Sequence, residues 1–196
     1  MRRDLISSAL AIVALTVVLG LVYPLAVTGV SQVVFPGRAN GSMIKRDGRL
    51  VGSRLIAKDF KGDPRYFQSR PSTATKYNAA GSAFTNLGPN SKDARDTFKS
   101  NLDGYLALER RYDPGLTAAQ VPVDAVTSSA SGVDPQISPA NAAIQAHRIA
   151  AVQQLPLAQV QKLIDENTDG RSLGVLGEPG VNVLELNLAL DSLTSQ

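Results

Sequence analysis

The chain has no cysteine, no tryptophan and one histidine among its 196 residues. Without cysteine there is no disulfide, no thiolate metal site and no lipid-modified cysteine of the lipoprotein kind. The single imidazole, His147, excludes a multi-histidine metal centre. Aromatics make up 5% of the residues and never interleave with a dense basic stripe, so a formal charge of +3 is poor support for nucleic-acid binding. No G-x-G-x-x-G is present, and the glycine cluster from Gly170 to Gly180 (GRSLGVLGEPG) lacks a Walker lysine. A nucleotide site is therefore not indicated.

Charge of either sign is also missing from Leu5 to Gly37. Within that stretch, Leu5 to Val27 (LISSALAIVALTVVLGLVYPLAV) forms a helix of roughly 34 Å, enough for a hydrocarbon core of about 30 Å. A cleaved signal peptide would have an apolar region of about 7–15 residues ending at an A-x-A-like site. This run is longer and lacks the site, so an uncleaved anchor is expected. Orientation does not follow from charge. Arg2 and Arg3 precede the span, while Arg38, Lys45, Arg46 and Arg49 follow it, and long domains translocate largely regardless of such counts.

Beyond the span, Pro24 is expected to kink or end the helix near the far interface, with Tyr23 among the headgroups. Residues 28–41 read as a connector. Arg49 to Phe60 reads as strand after a turn at Asp47-Gly48, and Tyr66 to Gly88 as an extended loop. A helix capped by Asn90 or Ser91 should run to about Arg111, with Ala94, Phe98, Leu102, Tyr105 and Leu106 on one face. Ser138 as cap and Pro139 at the first helical position predict a helix reaching Gln153. Another begins at Pro156, with Leu157, Val160, Leu163 and Ile164 as its buried stripe. Residues 182–193 are ambiguous: Leu184, Leu186, Leu188 and Leu190 alternate like a strand, whereas Asn182 and Glu185 form a capping pair that favours a helix. The whole reads as a single N-terminal transmembrane helix followed by a mixed α/β soluble domain, helix-rich and long-looped.

Three chemical readings compete for the polar residues. The stretch from Val126 to Ala142 (VTSSASGVDPQISPANA) holds Ser128, Ser129 and Ser131 near Asp134, and His147 would complete a triad. None of these three serines stands in a G-x-S-x-G elbow, and His147 is expected at a helix boundary rather than as a base. Ser42 with Lys45 looks like the start of a membrane-anchored Ser/Lys hydrolase of signal-peptidase type. That mechanism needs a desolvated lysine, and Lys45 lies beside Arg46 in a charged, turn-like run. The third reading is a structured, ligand-coordinating or self-packing loop, rich in hydroxyl and carbonyl oxygens. Its candidate residues are Thr127, Ser128, Ser129, Ser131 and Asp134, together with Tyr66 and Arg70.

Several segments match one family in order and spacing. They are Val22-Tyr23-Pro24-Leu25, Ala39-Asn40-Gly41-Ser42, Gly52-Ser53-Arg54-Leu55-Ile56, Tyr66-Phe67-Gln68-Ser69-Arg70-Pro71-Ser72, Tyr77-Asn78, the NLGP at Asn86 to Pro89, VTSSASGVDPQISPANA and the LNLALD at Leu186 to Asp191. Together they resemble the C subunit of the bacterial high-affinity potassium-transporting ATPase, the Kdp complex, over almost the full length. The run Ala80 to Thr85 (AGSAFT) departs from the family's more glycine-rich pattern.

The resemblance implies a non-catalytic accessory subunit with no cofactor of its own, ATP and potassium being handled by partners. Those partners are a channel-like potassium-binding A subunit, a P-type ATPase B subunit and, in some complexes, a very small F subunit. The implied layout in the bacterial plasma membrane is a cytoplasmic N-terminus (1–4), a transmembrane helix (5–27), a connector (28–41) and an extracytoplasmic domain (42–196). The implied role is assembly and stabilisation of the complex. Raising ATP affinity, as a catalytic chaperone, or shaping external potassium entry, with that loop as interface or vestibule, are further roles. An external domain cannot touch a cytoplasmic nucleotide site, so any effect on ATP affinity would run through the state of the complex.

Overall fold

The computed structural model describes residues 1–72 and 74–194. The chain divides into two compact units, Met1–Val51 and Gly52–Gln196.

The first unit is dominated by one helical run, Arg2–Val34, of 33 residues with none of its apolar stretch buried. It is long and apolar enough to cross a membrane. It consists of α1 (Arg2–Val17), a π-helical turn (Val18–Val22) and α2 (Tyr23–Val34). Pro24 was expected to kink or end the helix, and the helix does not end there but runs on to Val34. Proline has no N–H for the carbonyl four residues back. The wide turn just upstream absorbs the mismatch, with the Tyr23 N–H donating to the Val18 carbonyl five residues before it. The expected connector is correspondingly more ordered. Helix persists to Val34, and a single turn, α3 (Pro36–Ala39), follows. A hairpin of β1 (Met43–Arg46) and β2 (Arg49–Ser53) comes next. Asp47 and Gly48 at its tip have φ of 50° and 76°, the left-handed pair that a tight hairpin turn requires.

The second unit is helix-rich with one small sheet. After a long irregular stretch come α4 (Lys92–Glu109), β3 (Gln136–Ile137), α5 (Pro139–Gln153), α6 (Leu157–Glu166), β4 (Thr168–Asp169), β5 (Gly180–Asn182) and α7 (Val183–Thr194). The sheet has the order β3-β5-β4 and is antiparallel, with Ile137 opposite Val181 and Thr168 opposite the same residue. Local signals explain the helix starts. Ser91 Oγ accepts from the Ala94 N–H, and Ser138 Oγ accepts from the Asn141 N–H. Asn182 Oδ1 accepts from the Glu185 N–H, so the ambiguous tail is three residues of strand turning into a helix.

The core gathers Ile137, Ala142, Ala146, Ile149, Val160, Leu163, Ile164, Val181, Val183, Leu186 and Leu190 around Phe67. Phe67 belongs to no strand, and its backbone is satisfied by side chains. Asn187 on α7 accepts from the Phe67 N–H and donates to its carbonyl, both at 2.9 Å. Gln145 on α5 does the same for Gln68, at 2.7 and 3.2 Å. Two amides thus take the place of two neighbouring strands. Beside them, Arg148 is fully buried and its Nε bonds Glu109 Oε1 at 3.0 Å. The same guanidinium reaches the Pro64 and Tyr66 carbonyls and Gln145 Oε1. Burial pushes the Glu109 carboxyl up, and Arg148 opposes that shift without cancelling it.

Candidate functional site

The serine-rich stretch is a structured loop between the short helical turn Val123–Ala125 and β3. Arg70, 64 residues upstream of Asp134, organises it. Its Nη1 lies 3.1 Å from Asp134 Oδ2, and its Nη2 reaches Thr127 Oγ1 at 3.3 Å and the Ser128 carbonyl at 3.2 Å. The loop then folds back on itself. Ser129 Oγ accepts from the Gly132 N–H, Ser131 Oγ from the Val133 N–H, and Asp134 Oδ1 from the Gln136 N–H. Thr127 Oγ1 donates to the Val123 carbonyl. These are local side-chain-to-backbone bonds that take up much of the loop's oxygen inventory.

A second strand of chain clasps the loop. Ser72 Oγ and Thr75 Oγ1 both donate to the Gly132 carbonyl, and the Ala83 N–H donates to Ser131 O at 3.1 Å. Gly132 has φ of 71°, and a Cβ there would stand 2.7 Å from the Ala83 carbonyl oxygen, so only glycine fits. Tyr77 donates its phenol to the Arg70 carbonyl at 2.7 Å, and burial pushes its pKa up to about 12. An apolar recess lined by Phe84, Leu87, Phe98 and Ser128 opens beside the clasp.

Of the seven candidate residues, Arg70 joins Thr127, Ser128 and Asp134 directly, and Ser129 and Ser131 shape the same loop. Tyr66 is held elsewhere. Its ring tilts against Phe60 with centroids 5.5 Å apart, and a hydrogen bond to Asp191, with burial, raises its phenol pKa. Arg70 and Asp134 keep 23% and 31% of their side-chain surface, so the ion pair is half-open to solvent. His147 is exposed on α5. Among the described residues, no group of three or more His, Asp or Glu side chains is arranged to hold a metal ion.

The hydrolase alternative gains nothing from the geometry. Lys45 is exposed on β1, without the desolvation that a lysine base requires. One motif went unremarked in the sequence: Gly170-Arg171-Ser172-Leu173-Gly174 spells G-x-S-x-G. A nucleophile elbow is a strand-to-helix turn. Here the string lies in an exposed loop in which Ser172 pairs with Leu176, so it is not an elbow.

The family profile described as "K+-transporting ATPase, c chain" matches residues 5–192. The chain belongs to this family, KdpC. It is 51% identical over 181 residues to the potassium-transporting ATPase KdpC subunit of Polaromonas naphthalenivorans, covering 91% of this chain and 89% of that one. The corresponding subunit of Methylococcus capsulatus is 49% identical over 180 residues, 91% of this chain and 92% of the relative. That of Mycobacterium bovis is 46% identical over 195 residues, 98% of this chain and all of the relative. The KdpC match therefore takes in the apolar helix, the Arg70–Asp134 loop and α7 alike.

Proposed function

We propose that the chain acts as the accessory subunit of an ATP-driven potassium pump, holding the potassium-selecting and ATP-hydrolysing subunits together. The KdpC match across residues 5–192 carries this reading. The apolar run Arg2–Val34 serves as the membrane anchor, because a helix of this length with no buried face has no other apolar environment to enter. The N-terminus faces the cytoplasm and the second unit faces outward. The subunit performs no chemistry of its own: the hydroxyls of Ser129 and Ser131 accept from backbone N–H groups of the same loop, and His147 lies exposed on α5.

The loop around Arg70 and Asp134 functions as a shaped contact surface, with potassium entry as its second role. Support for the first comes from the density of self-satisfying bonds, which fixes shape and leaves few oxygens free to replace an ion's hydration shell. Any influence on ATP affinity is transmitted through the assembled complex.

Affinity capture of the full chain from its native membrane tests the reading. A P-type ATPase and a large channel-like subunit should co-purify, and deleting Leu5–Val27 should abolish that capture. An anchorless chain that still assembled an active pump would defeat the proposed docking role of the helix.

A further inference from the structure

The first unit ends in a cluster of bases. From Phe35 to Val51 the chain carries Arg38, Lys45, Arg46 and Arg49 against a single acid, Asp47, a net formal charge of +3. Arg38, Lys45 and Arg49 are exposed, and Arg46 is half-buried. Helical rise fixes the depth at which they stand. The run Arg2–Val34 has 33 residues, roughly 50 Å, while the hydrocarbon and both headgroup layers together measure about 40–45 Å. With Arg2 and Arg3 among the headgroups at one end, Val34 and the exposed Phe35 reach the headgroups at the other.

The chain does not then climb away from the bilayer. Gln32 and Asn40 exchange side-chain amide hydrogen bonds at 3.3 and 3.1 Å, and Asn40 Nδ2 also donates to the Pro36 carbonyl at 2.7 Å. Eight extended residues would span roughly 26–29 Å. The amide pair instead brings Asn40 back to the end of α2, with Arg38 inside the closed loop. Gly41 and Ser42, with φ of 79° and 48°, are consecutive left-handed residues that turn the chain into β1. Lys45, Arg46 and Arg49 follow on the short hairpin.

We infer that residues 38–49 form a docking surface for anionic phospholipid headgroups, at the membrane face where the anchor emerges. The inference rests on the reading of Arg2–Val34 as a membrane anchor. Two features select lipid phosphate as the occupant. The first is charge: a basic segment beside a membrane span is drawn to an anionic leaflet, and three of the four bases are arginines, whose planar fork takes phosphate oxygens two at a time. The second is depth: the bases stand where phosphates lie, held there by the helix length and the Gln32–Asn40 pair. Phe35, Met43 and Leu50, 55%, 55% and 61% exposed, stand among the bases and suit the acyl boundary just beneath the headgroups. The contact is the same for either leaflet, because the hairpin follows the helix wherever it emerges.

The test uses the full chain with Met43→Cys, its sole cysteine, carrying a fluorophore. It is reconstituted in vesicles of phosphatidylcholine, with or without phosphatidylglycerol, containing a headgroup-spin-labelled lipid as quencher. The same reporter is placed in a chain with Arg38→Gln, Lys45→Gln, Arg46→Gln and Arg49→Gln. At low ionic strength, phosphatidylglycerol should raise the ratio of headgroup-bound to free reporter by on the order of a hundredfold, about fivefold for each of the three exposed bases. Salt at about 0.5 M should return the ratio to its phosphatidylcholine value. The quadruple variant should not respond to phosphatidylglycerol, and the salt response of the unsubstituted bases stands whatever that variant's fold. Equal quenching in the two vesicle types, or a response that survives salt, overturns the inference. So does loss of pump-subunit capture by the quadruple variant with no phosphatidylglycerol response from the unsubstituted bases, which assigns them to an acidic protein surface. A chain that partitions into neither kind of vesicle defeats the anchor reading first, and the headgroup contact with it.

Discussion

Replacing Arg148 by methionine should be among the most damaging single changes in the second unit. The side chain is wholly buried and its partner Glu109 is 1% exposed. Methionine fills much of the aliphatic volume but leaves Glu109 without a counter-charge and the Pro64 and Tyr66 carbonyls without donors. Breaking a buried ion pair by removing one member costs about 3–5 kcal/mol. Each orphaned buried carbonyl adds about 1–3 kcal/mol, less whatever relaxation recovers. A loss of roughly 4–6 kcal/mol is therefore expected, a large share of the ~5–15 kcal/mol that holds a domain folded. Urea unfolding of the full chain in detergent, followed by pulse proteolysis, measures it. Without Arg148 the folded carboxyl of Glu109 rises further above its unfolded value. A raised carboxyl is destabilising above its folded pKa, so the deficit should shrink as pH is lowered through that value. The double variant Glu109→Leu with Arg148→Met should recover the charge part of the loss and retain the carbonyl part. A single-variant loss below about 1 kcal/mol, or strict additivity in the double, would refute the account.

Three further outcomes are expected. Asp134→Asn should leave assembly intact while loosening the Arg70 clasp; a changed apparent potassium affinity of the pump supports the vestibule role, and an unchanged one removes it. Tyr77, with its pKa raised to about 12, contributes stability that is complete below the unfolded value near 10 and is lost as pH climbs between the two. Tyr77→Phe should remove a tyrosinate step near pH 12 and flatten part of that alkaline decline, whereas a titration unaltered by the substitution would contradict the buried phenol. The chain lacks cysteine, so Lys99→Cys at an exposed position of α4 provides a single reporter; an impermeant maleimide applied to intact cells should label it, and protection would reverse the proposed orientation.

Much of the helical frame could be read from short-range signals. Ser138 and Pro139 mark the start of α5, and the helix ends at Gln153 as the pattern implies. The α6 stripe holds for Val160, Leu163 and Ile164, while Leu157 remains 41% exposed. On α4 the capping serine and Leu106 behave as expected, but Phe98 stays 43% exposed. The tail was ambiguous for a physical reason. Val183, Leu184, Leu186 and Leu190 are all buried together with the polar Asn187, so the buried face of α7 is broad and broken by an amide rather than a clean apolar stripe. The helix beyond Pro24 escaped notice because a π turn is invisible to a rule based on i-to-i+4 bonding.

The candidate site was legible as residue types and not as a constellation. Arg70 and Asp134 were both singled out, yet their contact spans 64 residues of chain and has no local signature. Tyr66 shared a motif with Arg70, yet the irregular chain between them leaves its ring against Phe60 and its phenol at Asp191 instead. The polar residues that matter most to the core, Arg148, Gln145, Asn187 and Glu109, look like ordinary surface positions on amphipathic helices. Only the long-range partners make them interior.

The pair of amides that grips Phe67 and Gln68 has a kinetic consequence. In a sheet, a segment can detach from one neighbour while it remains bonded to another. Here the same two residues are held by α5 on one side and α7 on the other, through groups that cannot let go without moving a helix. Their amide hydrogens should therefore exchange with solvent on the timescale of global opening, as slowly as those of a central strand, although they lie in irregular chain. The segment that leads directly to Arg70 thereby inherits the slowest clock in the molecule. A contact surface built at its end keeps its shape for as long as the second unit stays folded.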